Sequence, residues 1–367
     1  MEEKEITHST TQGEIVCKNC SAKLTYAPGT RNLKCQHCGT ENEIITADGL
    51  VEELDFEKFI SEYSQEAEKH DVVTVKCNAC GAQTSFESNV VSDSCAFCGS
   101  PIVVSEGTVN RSIKPNAVSP FLIEKNKAFE LYAQWLKKLW WAPGDLMNLA
   151  QQDGKLIGMY MPYWTYDANT NTSYSGERGD DIPETEEYEE EEDGQMVTRT
   201  RTIMRTIWYP VSGEVSNAFD DVLVAASRSL PKDYSEKLEP WDLSNLVPFN
   251  PSYLAGYKTE SYQIDLKVGF EEAKEKMDSA INQTILNVIG GAHQRIFYAN
   301  TSYENITFKH ILLPVWISAY RYGNKVYRFM INARTGAVRG ERPYSWMKIT
   351  IAILAGVAII ALLFLLL

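Results

Sequence analysis

Cys17-Lys18-Asn19-Cys20 with Cys35-Gln36-His37-Cys38, and then Cys77-Asn78-Ala79-Cys80 with Cys95-Ala96-Phe97-Cys98, decide how the N-terminal third of this chain folds. Each set has the spacing C-x2-C-x14-C-x2-C, and the second set is the first displaced by 60 residues. All eight cysteines of the chain are used. A two-residue gap lets both thiolates of one tight knuckle reach the same ion, and two knuckles close a sulfur tetrahedron around Zn²⁺. The reading is two four-cysteine zinc ribbons, with Cys17, Cys20, Cys35, Cys38, Cys77, Cys80, Cys95 and Cys98 as ligands and two Zn²⁺ per chain. Four thiolates also suit an iron–sulfur cluster, but closed ribbons favour zinc. A redox Cys-x-x-Cys needs a single pair in a βαβ context, and four pairs in register do not fit it. Four protein ligands leave no open position, so both sites read as structural. Gly39, Gly81 and Gly99 follow the second cysteine of a knuckle, where Ser21 stands in the first.

Outward from the ribbons, five segments are expected. Residues 14–46 form the first ribbon, 47–71 an acidic helical linker and 72–105 the second ribbon. Residues 110–342 form an α+β region, and 349–367 a transmembrane helix. In the linker, Leu54, Phe59 or Ile60, and Tyr63 recur at helical spacing among acids, giving a short amphipathic helix expected to pack on a ribbon. Helices are expected at 122–140, with Ala128, Leu131 or Tyr132, Trp135 and Leu139 inward, and at 268–289, with Phe270, Ala273, Met277, Ile281, Ile285 and Val288 inward. Strands are read at 198–209 and 221–226, and a meander at 307–339.

Tyr160-Met161-Pro162-Tyr163-Trp164 resembles Leu312-Leu313-Pro314-Val315-Trp316, which suggests two related α+β units. A proline in each strand implies an edge or a bulge there. Residues 180–193 hold ten acids and no base, and read as a long solvated loop that shields a basic surface.

Ile349 to Leu367 is uncharged over 19 residues, about 28 Å as a helix, enough to cross a hydrocarbon core. Arg334, Arg339, Arg342 and Lys348 precede it, so the bulk of the chain is expected on the cytoplasmic side of a cell membrane, held by a single pass. Disulfides are disfavoured in that compartment. Tyr344 and Trp346 sit where an aromatic belt belongs. Both a tail anchor and a longer natural chain remain open.

Composition narrows the function. The formal net charge is −14, from 49 acids and 35 bases. The first ribbon offers only Lys18, Lys23, Arg31 and Lys34, and the second only Lys76, too few cations for strong phosphate binding. Protein partners are therefore expected and nucleic acid is not, although ribbons do occur in transcription and replication factors. The chain has no P-loop, no G-x-G-x-x-G, no H-E-x-x-H and no G-x-S-x-G. No catalytic residue is assigned and no enzyme is expected. If one existed, Asp220, His293 and Arg295 would be its candidates, while His37 reads as a spectator beside a filled zinc site.

The ribbon pair, PFLIEKNKAFELYAQWLKKLWWAPGDL, YMPYWTYDA, AFDDVLVAASRSLP, EPWDL, GGAHQRI and FKHILLPVWISAYRYGNKVYRFMINARTGAVRGERP together resemble a bacterial family of double-zinc-ribbon proteins with a C-terminal membrane span. Such chains are often labelled TFIIB-type zinc ribbon or primosomal protein N′ (replication factor Y) helicase-like. The helicase activity is not carried over, because the phosphate-cradling loop is missing. The resemblance implies an adaptor or scaffold at the inner leaflet, with SPFH-domain and phage-shock-protein-A-like proteins of membrane-stress systems as partners. The acidic 180–193 segment departs from the family.

Overall fold

The computed structural model describes residues 15–366 apart from 46–48, 50, 64–68, 87–91, 104–107, 144–145, 147–155, 193–194, 230–233, 235 and 324. His8 lies outside them. The fold is α+β, mostly sheet, with two four-cysteine clusters in its N-terminal part and an apolar C-terminal helix.

The first ribbon is a small antiparallel sheet of β1 (Leu24–Tyr26), β2 (Asn32–Cys35) and β3 (Glu41–Glu43). Next, β4 (Leu54–Asp55) leads into α1 (Phe56–Tyr63), whose Lys58 N–H donates to Asp55 Oδ1 at 2.8 Å and so caps the helix start. The expected linker helix is present, but it packs elsewhere than on a ribbon. Phe56 meets the Phe270 ring at 4.8 Å and Phe59 meets Phe308 at 5.0 Å, so the linker is fastened to the α+β body. The second ribbon contains β5 (Lys69–Lys76), β6 (Gln83–Phe86), β7 (Ser92–Ser94) and β8 (Pro101–Val103), and β9 (Thr108–Ile113) returns along β5.

The body repeats one unit, a strand, a helix and a hairpin. The first copy is β10 (Ala117–Val118), α2 (Lys125–Lys137), β11 (Ile157–Glu192) and β12 (Gln195–Ala225). After β13 (Val247–Pro248), the second copy is β14 (Lys258–Thr259), α3 (Leu266–Ile289), β15 (His293–Tyr322) and β16 (Lys325–Asn332). Then come β17 (Val338–Gly340) and α4 (Trp346–Leu366).

The two copies exchange their first strands: β10 lies parallel to β15, and β14 parallel to β11. At the centre β11 and β15 run antiparallel, with Tyr160 opposite Pro314 and Pro162 opposite Leu312. The hydrogen bonds match in pairs. Trp164 Nε1 donates to Ile264 O and Trp316 Nε1 to Ile123 O, both at 2.8 Å. Ala226 N donates to Pro162 O and Ala333 N to Pro314 O, both at 3.0 Å.

Neither proline is at a sheet edge, which corrects that expectation. Each sits where one neighbouring strand ends and the next begins: β14 gives way to β12 beside Pro162, and β10 to β16 beside Pro314. A missing N–H costs no ladder bond at such a junction.

The alternating side chains of β11 and β15 divide the core. Tyr160, Leu312 and Trp316 face α2 and the first ribbon, and Trp164, Tyr166 and Phe308 face α3. Met159, Met161, Tyr163, Ile311, Leu313 and Val315 point to the other face, where Val75, Cys77, Cys95 and Phe97 of the second ribbon cover them. In α3 the expected stripe Phe270, Ala273, Met277, Ile281 and Ile285 is buried, but Val288 is exposed. Ile289 takes its place, one step round the helix.

The acidic segment is not a loop. Residues 180–192 are the outer part of β11, paired residue for residue with β12 from Glu192↔Gln195 inward. β15 ends alongside Gly179, so the hairpin continues for about 40 Å as a two-stranded arm. The partner strand, with its threonines and β-branched residues, explains the difference. Its Arg201, Arg205 and Arg199 meet Glu186, Glu184 and Glu190 at 2.8, 3.2 and 3.4 Å. The acids thus shield basic residues of their own hairpin.

Trp316→Phe keeps an aromatic ring in place but leaves the Ile123 carbonyl without its donor. Expected is a loss of about 1–3 kcal/mol of unfolding free energy, measured by denaturant titration of the detergent-solubilised full chain, with Trp164→Phe giving a similar loss.

Candidate metal centres and the other polar clusters

Each knuckle is built by the backbone. Ser21, Gly39, Gly81 and Gly99 donate their N–H to the carbonyl of Cys17, Cys35, Cys77 and Cys95 at 2.8–3.0 Å. All four have φ between 59° and 77°, the left-handed region. Glycine adopts it without cost, whereas Ser21 carries a Cβ there. Asn19 N, Cys38 N and Phe97 N point at the sulfurs of Cys17, Cys35 and Cys95 at 3.4, 3.5 and 3.4 Å.

The eight predicted ligands come together in two groups of four, each within 4.8 Å. In the first, Cys20 lies 3.4 Å from Cys38 and 3.5 Å from Cys35, and Cys17 lies 3.6 Å from Cys38. In the second, Cys77–Cys98 and Cys80–Cys95 are both 3.6 Å apart. A zinc ion with sulfurs at about 2.3 Å has tetrahedral edges of about 3.8 Å, and a disulfide is about 2.05 Å long. Four-thiolate metal sets therefore fit, and disulfides do not. Without a cation such sulfurs share protons unevenly. Cys80 is pushed down to about 5, first by its hydrogen bond with Cys95 and against some burial, while the same contact and burial push Cys95 up. A bound dication makes all four thiolates favourable at once and supplies the structural clamp. His37 is exposed and stands outside its four-sulfur group.

The centres are not equally exposed. Cys17, Cys35, Cys77 and Cys95 are buried, and the second cysteine of each knuckle faces outward or is half-buried. The buried members belong to the body's hydrophobic clusters. Tyr26 packs edge-on against Tyr253 at 5.3 Å, its N–H donates to Ala255 O at 2.9 Å, and Gly29 N donates to Phe121 O at 2.8 Å. On the second ribbon, Gln83 N donates to Ser229 Oγ at 3.4 Å. Both ribbons are docked parts of the core.

Asp220, His293 and Arg295 do not converge. His293 bonds Asp181 Oδ2 at 3.1 Å, and Arg295 lies 3.7 Å over the Trp208 ring and 3.5 Å from Glu177. These contacts brace the arm's base. Asp220 adjoins the partner of Ala168, about 36 Å along the strand from Gly179, the partner of His293. It meets Glu53 and Asp167, a carboxylate group that sequence reading missed because Asp167 is delivered by a bulge in β11. The Lys309 ammonium, nearly buried, pairs with Asp221 at 2.7 Å and Glu53 at 2.9 Å. Asp221 adopts φ 53° and donates its N–H to Asp167 Oδ1 at 2.6 Å. Burial raises the Asp167 carboxyl to about 6 despite that bond. The arrangement pins β4 of the linker to the body.

A second buried acid, Glu260, was also missed. Its Oε1 accepts from Ser227 Oγ at 2.7 Å, from Gln263 Nε2 at 2.9 Å and from Ser229 Oγ, while Oε2 is buried with no partner among the described residues. Burial lifts it to about 7. A carboxyl raised in the folded state binds its proton more tightly folded than unfolded, so stability falls as pH climbs from about 4.5 through about 7.

Two outcomes are expected. Metal analysis of the purified chain gives two zinc ions, and Cys38→Ser or Cys98→Ser gives one. Glu260→Gln, which keeps the accepting oxygen, is near-neutral at pH 5 and stabilising at pH 8 by up to about 3 kcal/mol, read from thermal unfolding at both pH values.

No family model matches the chain, and no solved structure does. The chain is similar to a Bacillus subtilis (strain 168) protein described as uncharacterized, YdjG, with 27% identity over 336 residues that cover 91% of each chain.

Proposed function

We propose that the protein is a single-pass membrane scaffold whose ribbons and projecting arm bind other proteins at the cytoplasmic face. The observation that carries this reading is the arm. It leaves the three-stranded sheet at Gly179 with side chains belonging to no core: Met196 and Met204 are more than 60% exposed, and Ile182 and Ile207 are also exposed. Its two faces differ. Residues opposite one another in the pair share a face, so Glu184, Glu186 and Glu190 lie with Arg199, Arg201 and Arg205. The other face carries Asp181, Glu187, Glu189 and Glu191 beside Met196, Thr198, Thr200, Thr202, Met204 and Thr206, with no cation. Such a surface suits a partner presenting basic side chains around apolar ones.

Three other features support the reading. Closed thiolate sets offer rigidity and no open coordination position. The ribbons' docking on the body gives partners a fixed surface. Finally, α4 is long and apolar enough to cross a membrane, and Trp346–Phe364 is wholly outside the core. Arg339 and Arg342 before it and Lys348 in its first turn favour a cytoplasmic body. The family resemblance makes SPFH-domain and phage-shock-protein-A-like proteins the first candidates.

The test is affinity capture from membranes with the full chain and with a Glu187→Thr/Glu189→Thr/Glu191→Thr variant. The expected result is a defined set of captured proteins that the variant loses while its zinc content and membrane retention stay unchanged. The same proteins at the same yield on both baits would refute the arm's role.

A further inference from the structure

The segment that follows α2 and the start of α4 are distant in sequence and joined in the fold. Lys348 Nζ donates to Trp140 O at 3.1 Å and Ala142 O at 2.8 Å, and Ser345 N donates to Trp141 O at 2.8 Å. Between them lies a cleft of about 590 Å³, lined by Leu136, Leu139, Trp140, Leu146, Ile351 and Ala352 and rimmed by Lys137 and Lys348. That volume is in the range of ligand sites, roughly 300–1,000 Å³. Trp140, which lines the cleft, is 77% exposed, and Trp346, the first residue of α4 and next to the Ser345–Trp141 bond, is 80% exposed. Lys137 lines the cleft and Lys138 follows it in sequence; both are exposed, and no carboxylate among the described residues pairs with either.

These features fit a bilayer better than water. An indole is at home at the headgroup level, with its ring among acyl chains and its N–H in the polar layer. The cleft continues onto Ile351 and Ala352, which belong to the apolar face of α4, so whatever surrounds α4 also fills the cleft's lower end. The upper end is cationic. Lys348 uses two of its three N–H donors on backbone carbonyls, and among the described residues nothing accepts the third, which can serve a ligand oxygen.

The geometry points to a phospholipid site in which Lys137, Lys138 and Lys348 hold an anionic headgroup and the Leu139–Leu146–Ile351 wall holds an acyl chain. The inference rests on the reading that α4 spans a membrane, and it adds the lipid class and the residues that select it. The sequence alone placed Tyr344 and Trp346 at the interface. The fold brings Trp140 and two further lysines close to the start of α4, so the end of α2 and the segment after it serve as a second membrane contact and limit rotation of the body about its anchor.

The test uses the full chain in nanodiscs of equimolar phosphatidylglycerol and phosphatidylcholine, with lipids that stay bound after release counted by native mass spectrometry. At a few-fold gain per lysine, wild type is expected to retain phosphatidylglycerol over phosphatidylcholine by about tenfold. Lys137→Gln/Lys138→Gln, both exposed and so safe for folding, is expected to bring the ratio down to about two, the share of Lys348 alone. Retention in the bilayer ratio by wild type overturns the inference, as does an unchanged preference in the variant. A second copy of the chain retained in place of phospholipid assigns the cleft to a protein neighbour and also overturns it. Carbonate washing of the wild-type vesicles separates the two levels. A chain that washes off refutes the spanning helix itself, whereas one that stays without a lipid preference refutes only the site.

Discussion

The antiparallel pairing of Tyr160–Trp164 with Leu312–Trp316 is the constraint on which the rest of the structure depends. Two copies of a strand–helix–hairpin unit meet there, and each lends its first strand to the other's sheet. Neither copy can complete its sheet alone, so the body folds as one unit. Both faces of the central strands are buried, and each face needs a different cover. Two helices and the first ribbon cover one face, and the second ribbon covers the other.

This arrangement changes what the metal centres are for. A ribbon of some thirty residues has little core and relies on its ion. Here Cys17, Cys35, Cys77 and Cys95 are also packing residues of the body. Metal binding at these sets would therefore support burial of the central strands: an ion held by four thiolates would order the knuckle, and the knuckle packs over Tyr160, Met161 and their neighbours. The ribbons act as lids on the body's core, leaving their outer knuckle residues, Cys38 among them, toward solvent.

The buried acids mark the seams of this assembly. Glu260 lies where the second ribbon meets the loop after β12, and the Lys309 cluster lies where the linker meets β15. Glu260 gathers donors from the loop after β12 and from its own segment, and the Lys309 cluster joins segments far apart in sequence. Buried charged groups held this way cost desolvation energy and restrict how the parts can dock, since any other docking leaves a charge unpaired. The arm, by contrast, has no core and is held by its backbone ladder and exposed ion pairs, each contributing little in water.

Local patterns determined much of this protein. Ligand spacing was enough to place both four-sulfur sets, because a knuckle is closed by hydrogen bonds within five residues. Apolar periodicity located α2 and α3 because a helix buries a stripe set by its own pitch, although Val288 and Ile289 show the stripe drifting at its end. An uncharged run was enough to identify α4. The Pro-and-Trp similarity pointed to the repeat, since both copies need proline at a strand junction and an indole donor reaching the other copy. What lay beyond sequence was every feature set by long-range pairing. The acids of 180–192 read as a loop until their arginine-bearing partner strand is seen opposite them. The bulge that gathers Asp167, Asp220 and Glu53 leaves no mark in composition. Only the tertiary structure decided that the ribbons lie on opposite faces of one sheet and that Trp140 stands beside Lys348, because those contacts follow from which strands pair, and strand pairing joins residues hundreds of positions apart.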